Sequence, residues 1–213
     1  MSGQKDTLSI SWAFPWDWKR IRSLASSDRT ADTWADVYDS VLSERLKYRY
    51  LEPITRMDAN GKGEGFSILT IQCALIEFLA SLRKGWSYRH GHKDYGKDDA
   101  YGDSQKLYVD FLRKEEPFKA HFTKRQAEGF YADIRCGLVH EAQTKRGWRI
   151  WRGDASQPVI DHTRKIVYRE SMRRCITDYL ERYRSELLLS TDLQDAFIRK
   201  FDYLHKHTEK PAP

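Results

Sequence analysis

Apolar positions recur at helical spacing along most of the chain. Over 31–51, Trp34, Val37, Tyr38, Val41, Leu42 and Leu46 share one face with Arg45, and Pro53 is expected to end the helix. A turn is expected over 58–65, which holds three Gly and an Asn. The stretch 66–83 is the most apolar of all: Ile68, Leu69, Ile71, Cys73, Leu75, Ile76, Phe78, Leu79 and Leu82 leave almost no polar face. Such a helix belongs at the centre, covered on most sides. Gln72 and Glu77 interrupt it, and a carboxylate there needs a partner, for which Arg135 is the candidate, or must reach the rim of the bundle.

Leu107, Tyr108, Phe111 and Leu112 mark a short helix over 104–113 that stops near Pro117. Thr123 and Gln126 form a capping box before a helix from 124 to about 144, whose buried face is Ala127, Phe130, Tyr131, Ile134 and Leu138. After Gly147 the pattern changes. Runs rich in Val, Ile and aromatics at 148–151, 159–161 and 166–168 predict a small β insert over 146–168. Helical spacing resumes with Met172, Ile176, Tyr179, Leu180, Tyr183 and Leu187, and again with Phe197, Ile198, Phe201 and Leu204. The tail 208–213 is expected to fray.

These elements predict an all-α fold: one domain over 1–213, a bundle of about five to six helices with a small antiparallel β-hairpin or meander attached. The aromatic-rich start, 1–29, with Trp12, Phe14, Trp16 and Trp18, is expected to pack as a flap because so much apolar surface does not stay in water. The segment 85–103, with His90, His92, several Asp and four Gly, reads as a mobile loop and matches no metal-ligand spacing.

At 213 residues, 40% hydrophobic and 13% aromatic, the chain can build a sizeable core, which excludes a disordered polymer. Cys73, Cys136 and Cys175 are odd in number and in no CxxC pair, so reduced thiols are expected and structural zinc is not. No leader pattern stands at the start, and the longest apolar run is broken by Gln72 and Glu77. A soluble cytoplasmic protein with no membrane partner is the expectation. Net charge is +6, and its location matters more than its size. Between 124 and 184 there are 14 Lys or Arg against 8 Asp or Glu, which leaves the remainder balanced at 23 against 23. A basic segment of this kind attracts a polyanion such as RNA.

The candidate chemistry lies in the same segment. Arg135 is a permanent cation with a fixed fork of donors, and His140, five residues on, is an imidazole, the side-chain type suited to taking and giving a proton. That spacing alone is a weak signal in a chain so rich in Arg; the surrounding run carries it. FYADIRCGLVHEAQTKRGWRI, 130–150, resembles the motif helix of the HEPN superfamily, helical domains defined by an Arg, a short gap and a His late in the bundle. Cys136 stands where many active members have Asn, Asp or His after the Arg.

The resemblance implies a metal-independent endoribonuclease, without cofactor, in which the ribose 2′-hydroxyl attacks the adjacent phosphate and a cyclic phosphate is left. Arg135 and His140 would be catalytic. Tyr131, Lys145, Arg146 and Arg149 would contact substrate, and Glu77, Asp133 and Glu141 would support the site. The resemblance further implies a homodimer through the motif helix, a toxin or antiviral-defence role and a cognate antitoxin as partner. A non-catalytic module that binds nucleic acid or protein is the alternative. On a regular helix Arg135 and His140 stand roughly 140° and ~7.5 Å apart, so either Gly137 lets the helix deform or two copies of the motif meet across a two-fold axis.

Overall fold

Residues 16–60, 63–154 and 156–206 are described by the structure, a computed structural model. Trp12, Phe14 and the tail 208–213 lie outside the described residues. Helices dominate, with two small sheets. Helix α1 is Trp16–Ser27. Helix α2 begins at Ala31–Val37 and continues through Tyr38–Ser43, Glu44–Leu46, Lys47–Leu51 and Glu52–Asn60. Helix α3 is Gly65–Lys84 and α4 is Ser104–Lys114. Helix α5 consists of Lys124–Gly129, Phe130–Arg135 and Cys136–Glu141, followed by α6, Arg169–Leu187, and α7, Thr191–Lys206. Among the described residues there are thus seven helices, not five or six, because the described part of the aromatic start is itself a helix.

Pro53 does not end α2. The Glu52 N–H already bonds to the Lys47 carbonyl five residues back, in a π-helical turn that widens the backbone just where the proline ring would collide with a regular helix. A second π-helical turn occupies Tyr38–Ser43 of the same helix.

Helix α3 takes the centre, as its composition requires. By length and apolarity it could cross a membrane, yet ten of its residues are buried against the surrounding bundle, including Ile68, Leu69, Leu75, Ile76, Leu79 and Leu82. Both polar interruptions make tertiary contacts: Gln72 Nε2 donates to the Arg169 carbonyl, and Glu77 meets Arg135. At one end of the bundle, Trp34 meets Phe197 edge-on at 5.7 Å, Phe197 stacks on Phe201 at 4.5 Å, and Phe201 touches Trp18 at 5.5 Å. This aromatic chain joins α1, α2 and α7. Trp18 also donates to Asp202 and stacks on His205, so it belongs to the core and is not offered to solvent.

The segment expected to be a mobile loop is held in place. Strands β1 (Ser87–Tyr88) and β2 (Ala100–Tyr101) pair in parallel, and Trp86 packs edge-on against Tyr95 at 4.9 Å. Gly96, at φ +85°, lies so close to Trp86 that a Cβ would sit 2.6 Å from the indole. The insert also departs from expectation. Its strands β3 (Arg149–Trp151), β4 (Ile160–Asp161) and β5 (Ile166–Tyr168) make a mixed sheet in the order β3-β5-β4. Only β4 and β5 form an antiparallel hairpin, its turn fixed by the Asp161 carboxylate accepting from the Arg164 N–H; β3 runs parallel on the free edge of β5. Because β5 lies between β3 and β4, the chain skips a position in the sheet on its way from β3 to β4, which a simple meander does not do.

Lys200 of α7 is buried, donating to the Trp86 carbonyl at 2.9 Å with its ammonium 5.8 Å from the Phe78 ring. Burial lowers its pKa from 10.5 to about 8, against an opposing pull from Glu77. The unfolded chain therefore binds more protons than the folded one between those two values, and this group's contribution to stability rises with pH across that window. Comparing urea midpoints of wild type and Lys200→Met at about pH 7 and about pH 9.5 should show the difference moving in favour of wild type at the higher pH; a flat difference would mean Lys200 is not held as a desolvated cation.

Candidate active site

Helix α5 begins as its sequence requires. The Thr123 hydroxyl accepts from the Gln126 N–H while the Gln126 side chain accepts from the Thr123 N–H, and Ala127, Phe130, Ile134 and Leu138 are buried. It ends at Glu141, short of 144, because Ala142 turns into the left-handed region at φ +53°. Gly137 is where the returning chain packs: a Cβ there would lie 2.5 Å from the Gln143 carbonyl oxygen. The helix deforms one turn earlier, in the π-helical turn Phe130–Arg135, where the Cys136 N–H reaches back to Tyr131. Turns of this type recur at functional sites because they widen the helix and re-aim its side chains.

Arg135 leaves this turn toward α3. Its guanidinium donates to Glu77 Oε2 at 2.7 Å and lies 5.3 Å from the centre of the Tyr131 ring. The other Glu77 oxygen accepts from Ser104 Oγ at 2.7 Å and from the Tyr101 hydroxyl at 3.4 Å. Both oxygens are thus engaged, and the two charged side chains are only 18% and 16% exposed. Burial alone would lower the Arg135 pKa. The charge and hydrogen bond of Glu77 outweigh it, and the net direction is upward. Burial likewise pushes the Tyr131 hydroxyl up to about 12, so it stays a neutral donor near neutral pH.

An open cleft of about 700 Å³ lies over this pair. Arg135, Tyr131, Val139 and His140 from α5 form one wall; Glu77 and the Gly102–Gln105 corner form the other, with Tyr88 at the side. His140 is exposed on its wall, and Val139 beside it is 49% exposed. Arg135 and His140 therefore face one solvent-filled space.

The remaining expected site residues divide. Tyr131 and Glu77 line the cleft; Lys145, Arg146 and Arg149 are not part of its lining. Asp133 is buried on another face of α5, where its carbonyl accepts from the Lys145 N–H at 2.7 Å and its carboxylate lies 3.5 Å from Arg146. Glu141 is exposed, 3.9 Å from Lys145. Asp133 and Glu141 hold the connection after the helix, not Arg135. Sequence reasoning missed Tyr101, Ser104 and Gln105. The available signal was Asp103, whose side chain caps α4 by accepting from the Lys106 N–H and so sets Ser104 at a helix start.

Among the described residues, no group of three or more His, Cys, Asp or Glu side chains is placed to hold a metal ion. Comparison with protein-family models, with curated proteins and with solved structures gives no match.

The Glu77 carboxylate joins α3, α4, β2 and α5 at one point. Replacing it with Gln keeps the shape but leaves a half-buried guanidinium without its counter-charge. Glu77→Gln should cost about 1–3 kcal/mol in urea unfolding, and Ser104→Ala, which removes a neutral donor, about 1 kcal/mol. Equal costs for the two variants would show that the ion pair contributes no more than an ordinary hydrogen bond.

Proposed function

We propose that the chain is a metal-independent endoribonuclease of the HEPN kind, which its motif helix resembles, acting in a toxin or antiviral-defence role. The carrying observation is that Arg135 and His140 open onto one cleft whose volume suits a nucleotide. In the proposed reaction the 2′-oxygen attacks the neighbouring phosphorus, the bond from phosphorus to the 5′-oxygen breaks, and the products are a cyclic 2′,3′-phosphate and a 5′-hydroxyl. His140 takes the proton from the 2′-hydroxyl or delivers one to the leaving 5′-oxygen. Arg135 keeps further N–H donors beyond the one bound to Glu77, and these meet the negative charge gathering on the non-bridging phosphate oxygens. Tyr131 supplies a neutral donor on the same wall, while the Ser104 hydroxyl opposite is committed to Glu77.

One imidazole cannot be base and acid at once. A second copy docked along α5 would supply the other, and Val139, exposed beside His140, is the apolar surface such a contact would cover. A cognate antitoxin would act by covering the same cleft. The Arg135–Glu77 pair favours a second reading, a module that binds nucleic acid or protein without cutting, since a guanidinium held by a carboxylate also serves as a brace between helices.

The two readings separate on one assay. With RNA and excess chelator, wild type should cut, and Arg135→Ala and His140→Ala should each lose at least about a hundredfold in rate while keeping their helical circular dichroism. His140→Ala should also keep its melting temperature, whereas Arg135→Ala, which leaves Glu77 without its partner, should melt lower but remain folded at the assay temperature. Binding without cutting, unchanged by either variant, selects the second reading.

A further inference from the structure

The β insert carries an arrangement that the cleft does not use. Residues alternate across β3: Ile150 packs toward the bundle, with its Cγ2 3.4 Å from where a Cβ on Gly65 would lie, so Arg149 and Trp151 point outward. Trp151 is 42% exposed, the only exposed indole among the described residues. Two guanidiniums lie against its ring, Arg149 at 5.6 Å and Arg164 at 5.2 Å, and Arg149 also donates to the Arg164 carbonyl at 3.1 Å. Tyr168 meets the indole edge-on at 6.4 Å.

Neither Arg149 nor Arg164 has a carboxylate partner among the described residues, whereas Arg146 faces Asp133 and Arg152 faces Asp58. Lys165 adds a third cation, its ammonium donating to the Arg146 carbonyl. An apolar ring left in water and surrounded by unneutralised cations is a poor surface for packing against an apolar protein face, because covering it would bury charge without compensation. It suits a polymer that brings both flat rings and negative charge. Paired bases cannot offer their faces to an indole; unpaired ones can.

We propose that Trp151, Arg149 and Arg164 form a stacking platform for single-stranded RNA: an unpaired base lies on the indole while the guanidiniums contact the flanking phosphates. The proposal rests on the ribonuclease reading only for the identity of the polymer. Lys145 and Arg146, both partly exposed, lie on the short connection between the end of α5 and β3, so basic side chains lead from the His140 end of the cleft toward the platform.

The test measures binding, not cleavage. A fluorescein-labelled oligouridylate of about twelve residues with 2′-O-methyl groups lacks the attacking hydroxyl and stays intact, and a duplex of the same length is the comparison. Wild type should prefer the single strand. Trp151→Leu, which keeps apolar bulk without the π face, should weaken single-strand binding about tenfold and leave the duplex unchanged, while Trp151→Phe stays near wild type. Arg149→Gln with Arg164→Gln should flatten the dependence of log affinity on log salt by about 1.4, two phosphates at about 0.7 each.

Equal melting temperatures keep the comparison meaningful, since Trp151 is on the surface. Single-strand affinity unchanged in Trp151→Leu, duplex bound as tightly as single strand, or an acidic protein held by this face in place of RNA would each overturn the proposal. Because the probe cannot be cut, failure of His140→Ala to abolish cleavage of ordinary RNA would end the catalytic reading and leave this measurement intact.

Discussion

A carboxylate in the middle of the most apolar helix of this chain is tolerable only if all its hydrogen-bonding capacity is used, and the arrangement around Glu77 follows from that demand. One oxygen takes the Arg135 guanidinium and the other takes the Ser104 and Tyr101 hydroxyls. Removing two charges from water costs several kcal/mol each, and mutual attraction repays it only when the remaining lone pairs are satisfied as well. The pair is also only partly enclosed, which lowers the cost and leaves its outer side to the cleft. The same contact therefore fixes α3, α4, β2 and α5 relative to one another and holds a guanidinium at the cleft wall in one orientation.

The motif helix is shaped at three points. The capping box sets its start, the π-helical turn Phe130–Arg135 re-aims its side chains, and Ala142 stops it so that the chain can fold back over Gly137. Each feature serves the next: the turn sends Arg135 to Glu77, the stop leaves His140 near the helix end, and the return leads directly into β3. One wall of the cleft and the insert are thus consecutive products of one stretch, residues 124–168. In the reading proposed above, RNA cut at the cleft would be held by its unpaired neighbours on the insert.

The parts of this architecture that depend on local pattern were legible in the chain. Helical spacing located α3 through α7 to within a few residues and the start of α2, the centrality of α3 followed from its lack of a polar face, and the Thr123–Gln126 box appears as drawn. The pairing of Glu77 with Arg135 could also be named as one of two outcomes, because a carboxylate amid nine apolar residues needs a partner or must reach the rim. What went astray depended on context. Pro53 does not break α2 because a π-helical turn precedes it, and the Gly- and His-rich stretch between α3 and α4 is ordered because Trp86 fills the space beside Gly96.

By itself, then, the order of residues determined which segments would be helical and which helix would be innermost, since these rest on periodicity, while the resemblance of 130–150 to the HEPN motif helix made Arg135 and His140 the side chains to follow. Only the tertiary structure decided that those two side chains open onto one space, that Asp133 and Glu141 support the connection after the helix and not the site, that β3 lies parallel to β5, and that Trp151 remains in water between two cations. The physical reason is that these outcomes depend on distances between residues far apart in the chain, or on which edge or face is left uncovered once everything else has packed. No spacing along the backbone encodes that.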